Sequence, residues 1–116
     1  MQTFEKLYMR EDARDLYGYI YELFKSKKNN DEFFKTEILR WALLIGGTIA
    51  QWYEINIGDV KGHLTEAKGF CGVVKNLAYI GEKIGYFDNT ELEEILGKCS
   101  KIAAGIYKFT TSKKSN

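Results

Sequence analysis

A chain of 116 residues, 45% apolar and 28% charged, is long enough for one domain with one core and too apolar to stay disordered. Its formal net charge of +1 excludes an overall electrostatic pull toward nucleic acid or membrane. It has no proline, which argues against a loop-rich or sandwich fold and favours long uninterrupted helices.

Three polar breaks, Lys25 to Asp31, Ile55 to Asp59 and Gly85 to Thr90, divide the chain into four segments of helical length. The first predicted helix covers about 10–25. Ala13, Leu16, Tyr17, Ile20, Leu23 and Phe24 form its stripe, with Glu11, Asp12 and Asp15 near the positive end of its dipole and Lys25, Lys27 and Lys28 at the other. The second covers about 32–54, with Asp31 as N-cap. Between Ile38 and Tyr53 its only formal charge is Arg40, so it is apolar on all sides. The uncharged run Trp41 to Tyr53 falls short of the roughly 20 residues that span a bilayer, so the expected cover is protein, and another subunit is the simplest candidate. The third covers about 60–84, with Asp59 as cap, Leu64, Ala67, Cys71, Val74, Ala78 and Ile84 as apolar positions, and Gly85 as the left-handed stop. The fourth covers about 91–110, where Thr90 with Glu93 fits a capping box and Leu92, Ile95, Leu96, Cys99, Ile102, Ala103, Ile106 and Phe109 make the core stripe. Residues 111–116 read as a frayed polar tail. Short connections imply antiparallel neighbours, hence an all-α up-down-up-down four-helix bundle in a single domain.

Gly46-Gly47 interrupts the apolar second helix, at roughly 0.5–1 kcal/mol per glycine. Close approach of another helix offsets such a cost, and Gly69 and Gly72 on the third helix are the expected partners. Core packing between the two helices and a subunit interface both fit the pair. Trp41 and Trp52 lie close to three turns apart and are expected on one face, as core or as interface anchors.

No constellation for chemistry emerges. His63 with Glu66 gives too few metal ligands, and reads as a helix-surface pair. The carboxylates Asp12, Asp15, Glu22, Glu91, Glu93 and Glu94 fall at helix ends or on polar faces. Cys71 and Cys99 lack C-x-x-C spacing and an adjacent base, and are expected as buried apolar residues of a cytosolic protein. GDVKG and LIGGT lack the arrangement of a phosphate loop, and the N-terminal MQTFEKLYMRED lacks an apolar signal core. No enzyme, metal or cofactor is expected. The electrostatic signal is lysine placement: Lys61, Lys68 and Lys75 recur every seven residues on the third helix, and Lys101 and Lys108 on the fourth, with Lys98 one turn before. Antiparallel neighbours could join these stripes, extended by Lys113 and Lys114, into one basic face that contacts phosphates without reading bases. Ordinary solvated faces of amphipathic helices account for the same lysines. Tyr17, Tyr19, Tyr21, Tyr79 and Tyr107 could stack on unpaired bases or fill core and boundary positions.

Order and spacing carry a family resemblance. EILRWALLIGGTIAQW, Glu37 to Trp52, aligns without a gap to Q-I-R-R-A-A-x-S-I-P-x-N-I-A-E-G, matching at Arg40, Ala42, Ile45, Ile49 and Ala50. HLTEAKGFCGVV, then IGYF, aligns to F-L-x-I-A-x-G-S-x-x-E-L with its closing L-G-Y-I, matching at Leu64, Ala67, Gly69, Gly85 and Tyr86. With FEKL and Ala13-Arg14 ahead of these, the chain resembles, over nearly its whole length, the four-helix-bundle proteins encoded in intervening sequences of bacterial 23S rRNA genes. It departs from the pattern at Gly46, Thr48, Gln51, Phe70 and Val73, where polar positions and a proline are lost while small and apolar positions persist.

That family is related to the accessory variability protein of diversity-generating retroelements, a pentameric barrel that binds its reverse transcriptase and nucleic acid. The resemblance therefore implies a cytoplasmic homopentamer with an RNA-linked accessory role. Lys61, Lys68, Lys75, Lys98, Lys101 and Lys108 are the expected nucleic-acid contacts; Arg40, Trp41, Gly46, Gly47, Trp52 and Gly69 are the expected oligomer or helix-packing interface. The alternative is a protein-interaction scaffold with no nucleic-acid contact, which the apolar second helix and near-neutral charge favour.

Overall fold

The computed structural model describes residues 2–27, 31–55 and 60–114, with side chains for 8–27, 31–55 and 62–111. It consists of four helices: α1 (Gln2–Lys25), α2 (Glu32–Ile55), α3 (Val60–Lys83) and α4 (Asn89–Lys114). Each packs on its chain neighbours, α4 closes on α1, and the diagonal pairs do not meet through their backbones among the described residues. This is the expected up-down-up-down square. The buried residues explain it. Leu64, Ala67, Cys71, Val74 and Ala78 on α3, and Leu92, Ile95, Cys99, Ile102, Ile106 and Phe109 on α4, alternate steps of three and four. That 3.5-residue mean keeps one seam facing inward along the whole length of near-parallel helix axes.

One end of the bundle is plugged by aromatics from three connected regions. Phe24 ends α1, Phe34 opens α2, and Tyr86 and Phe87 come from the α3–α4 turn; ring centroids lie 5.3–6.3 Å apart in edge and tilted contacts. The turns around the plug are tied together. Asp31 caps α2, its Oδ1 accepting the Phe34 N–H at 3.1 Å, while its Oδ2 accepts the Tyr86 hydroxyl at 2.8 Å. Those bonds, the backbone one first, hold the Asp31 carboxyl below the usual carboxylate range. Lys27 bridges to both oxygens of Glu91 at 3.0 and 3.1 Å.

Gly85, at φ 87°, ends α3 as expected. Its N–H reaches the Glu82 carbonyl and the Tyr86 N–H reaches Gly81, the paired bonds of a Schellman motif. The capping box of α4 lies two residues before the expected Thr90 and Glu93. Asp88 accepts the Glu91 N–H at 2.8 Å, and Glu91 accepts the Asp88 N–H at 2.9 Å. Asp is a strong cap, and this register buries Phe87 and Leu92, the staple positions on either side of it. The cap expected at Asp59 lies outside the described residues.

Two boundaries differ from expectation. Helix α1 starts at Gln2 rather than near residue 10, because QTFEKLYM contains no breaker and Met9 carries the buried stripe onto α4 beside Gly105. Helix α4 runs on to Lys114 through the expected tail. Thr110 and Thr111 return their hydroxyls to the Ile106 and Tyr107 carbonyls, which removes their competition with the helix. Ile84, expected on the core stripe, is exposed because it lies past the end of α3.

Candidate nucleic-acid interface

The six expected lysine contacts do not make one face. Lys98 and Lys101 lie on the side of α4 that borders α1. Lys98 pairs with Asp15 at 2.7 Å and Glu94 at 3.4 Å, with its ammonium 5.4 Å from the Tyr19 ring centroid. The Asp15 hydrogen bond is the main reason its ammonium holds its proton more tightly than usual. Lys101 pairs with Asp12 at 3.5 Å. Lys108 shares a cleft with Tyr8, Met9 and Asp12 on the same side. The acidic residues that complement the α1 dipole thus neutralise this seam. The correction follows from helix phase: Lys98, Lys101 and Lys108 each precede a core position of α4, and that flank faces α1 rather than α3.

The other flank of α4 has a different character. The Lys68 ammonium of α3 sits 5.3 Å from the ring centroid of Tyr107 on α4, which brings the two helices' outer flanks together. Lys75 follows two turns along α3, with Tyr79 one turn further. Tyr107 and Tyr79 are 58% and 55% exposed, so each ring offers a face to solvent. No ion pair joins Lys68 or Lys75 to a carboxylate among the described residues. Lys68 against the exposed Tyr107 ring, with the half-buried Lys75 and the exposed Tyr79 further along the same flank, forms a short basic strip able to meet phosphates and unstacked bases. The side chain of Lys61, next in the stripe, lies outside the described residues. Tyrosine exposure was the signal that spacing alone could not supply.

The expected interface residues also separate. Trp52 is buried at 1% exposure, its ring 5.1 Å from Phe109 across the bundle. Trp41 is half-buried on the α2–α3 seam, 5.5 Å from Phe70. On the 3.5-residue period of this core, eleven residues leave about 50° between them, enough to put one in the core and the other on its flank. Arg40 is exposed, pairs with Glu37 at 3.5 Å and lies over Trp41. The glycines of α2 do not face Gly69 and Gly72. Gly46 faces α1, where an added Cβ would sit 3.5 Å from that of Ala13, whereas Gly47, Gly69 and Gly72 open onto space. Gly46 is five residues, about 140°, round the helix from Trp41, and it is Trp41 that faces α3.

No group of three or more metal-binding side chains occurs among the described residues. Cys71 and Cys99 are buried free thiols, and burial pushes them up to about 11 and about 12, far from thiolate reactivity at neutral pH. No helix among the described residues is long and apolar enough to cross a membrane. Compared with known proteins, the chain matches no family model, no curated protein and no solved structure.

Proposed function

We propose that this chain is a non-enzymatic accessory protein that binds RNA, alone or within a ribonucleoprotein such as a reverse transcriptase with its template, through the α3–α4 strip. The carrying observation is the Lys68 ammonium against the exposed Tyr107 ring, with Lys75 and Tyr79 further along the same flank of α3 and neither lysine in an ion pair among the described residues. Kinship with the intervening-sequence proteins is part of this reading, as is a homo-oligomer, five copies being the number that the resemblance implies. Two unpaired buried thiols suit a reducing compartment, and the reading puts the protein in the cytoplasm.

Fluorescence anisotropy with a short single-stranded RNA, titrated at several salt concentrations, tests it. Lys68→Glu with Lys75→Glu is expected to remove binding at moderate salt, while Lys101→Glu on the neutralised seam leaves it within about twofold. Single replacements of Lys68 or Lys75 by Ala should each lower the salt slope by about one. Binding that survives the double reversal would refute the reading. The second reading, a scaffold with no nucleic-acid contact, is favoured by the outward side of α2, where Phe33 and Leu43 are 80% and 60% exposed. A protein partner retained at high salt, with no RNA bound, would select it.

A further inference from the structure

Between α1 and α2, on the side opposite the lysine strip, runs a groove of about 380 Å³, within the roughly 300–1,000 Å³ of small-molecule sites. Its floor is Ala13 and Gly18 on one helix and Gly46, Gly47 and Ala50 on the other. An added Cβ at Gly18 or Gly47 would meet nothing within 4 Å, so packing inside the bundle does not require glycine at either position. The charge in the groove is one-sided. Of the lining residues only Arg10 and Arg14 are charged, Arg10 at one end and Arg14 one turn further in. The opposite end, at Gly18, Ala42 and Leu43, is apolar. Arg10 has no ion pair among the described residues. It lies over the Tyr53 ring, 4.3 Å from its centroid, and its Nε is buried with no hydrogen-bond partner. A buried guanidinium nitrogen in that state is unfavourable, and nothing within the bundle offsets it. Arg14 pairs with Glu11 at 3.1 Å on the exposed surface, a contact that adds little.

We infer that this groove binds an amphipathic carboxylate, a free medium-chain fatty acid, with its acid group on Arg10 and Arg14 and its chain along the glycine-alanine floor toward Leu43. The inference is independent of the lysine strip and of any RNA. Charge selects the head. Two arginines one turn apart, with no acidic residue in the lining, favour an anion, and a guanidinium stacked on a ring keeps its N–H edge for a planar carboxylate. Shape selects the tail. Arg10 and Gly18 are eight residues apart, about 12 Å along the helix, the length of an extended decanoate chain. Glycine and alanine let such a chain lie against both backbones, and Leu43, 60% exposed at the far end, gains an apolar neighbour. A polyanion fits less well, because the apolar end of the groove has no partner for a second phosphate.

Isothermal titration calorimetry of the full chain with decanoate below its micelle concentration, paired with amide NMR shifts, tests the inference. Saturable one-to-one binding is expected, with shifts at Ala13, Gly18, Gly46 and Gly47. Decanol and decylammonium keep the tail without the anionic head, and acetate keeps the head without the tail. Each is expected to bind at least about tenfold more weakly than decanoate. Arg10→Gln should weaken decanoate about tenfold, with helicity retained by circular dichroism. Gly47→Leu, whose side chain enters the groove, should remove binding with helicity retained, and Gly69→Leu, at an open glycine on α3, should leave binding unchanged. A titration with no heat and no shifts, decanol binding as tightly as decanoate, or an affinity that Gly47→Leu leaves intact would each overturn the inference. Binding to anionic phospholipid vesicles without binding to monomeric decanoate would assign the groove to a membrane surface and overturn it as well.

Discussion

Gly81 and Gly72 lie nine residues apart on α3 and have opposite requirements. A Cβ at Gly81 would come within 2.6 Å of the Phe87 ring and 3.1 Å of Phe34, both buried in the aromatic plug. A Cβ at Gly72 would meet nothing within 4 Å. Gly81→Ala is therefore expected to cost about 1–3 kcal/mol through overpacking. Gly72→Ala should add about 0.5–1 kcal/mol by relieving helix entropy. Denaturant melts of both variants check the pair, and equal shifts would contradict the packing account. The cysteines make a second residue-scale case. Burial raises both thiols, with Cys71 adding to the shift of Cys99 and Lys75 opposing it. The folded state therefore favours the protonated thiol. The resulting stability is fully present below the ordinary thiol value near 9 and is lost as pH rises toward about 11 and about 12. A thiol–disulfide exchange reagent at pH 8 should label neither cysteine until denaturant unfolds the chain. Prompt labelling of the native protein would show that the thiols are accessible.

At the scale of elements, what distinguishes this bundle is how its turns are held. The α1–α2 turn contributes Lys27 and Asp31, which meet Glu91 in the first turn of α4 and Tyr86 in the α3–α4 turn. Glu91 serves twice, bridging to Lys27 and completing the Asp88 capping box. Asp88→Ala should cost about 1 kcal/mol, the usual loss for an N-cap, whereas Thr90→Ala should be near neutral. Chemical denaturation distinguishes the two registers, since a larger loss at Thr90 would restore the capping box that spacing suggested. The capping box was hard to place because DNTELEE offers overlapping solutions, Asp88 with Glu91 and Thr90 with Glu93. The burial of Phe87 decides between them, and that depends on where Phe24 and Phe34 lie.

For the molecule as a whole, the four seams differ in what they offer outward. The α1–α4 seam is neutralised by Asp12, Asp15 and Glu94. The α2–α3 seam is covered in part by Trp41 on Phe70. The α1–α2 groove is open and basic at one end, and the α3–α4 strip carries lysines and tyrosines. Groove and strip lie on opposite sides of the square, so neither shares residues with the other. Effects of substitutions at the two sites should then combine without coupling, as expected for positions with no shared contacts.

Much of this was legible in the sequence. The four helices, their order, the Asp31 cap, the Gly85 stop and nearly all of the core stripe follow from hydrophobic period and local turn chemistry, which act over a few residues. Tertiary structure decided whatever depends on which flank of a helix meets which neighbour. It put Lys98 and Lys101 against acids of α1 while Lys68 met Tyr107. It turned Gly46 toward Ala13 and left Gly47 open, and it sent Trp52 inward and Trp41 to the flank. A heptad stripe determines which side of a helix is buried. The flanking residues take their partners from helices far away in the chain, and a rotation of about 50° is enough to exchange a core position for a seam.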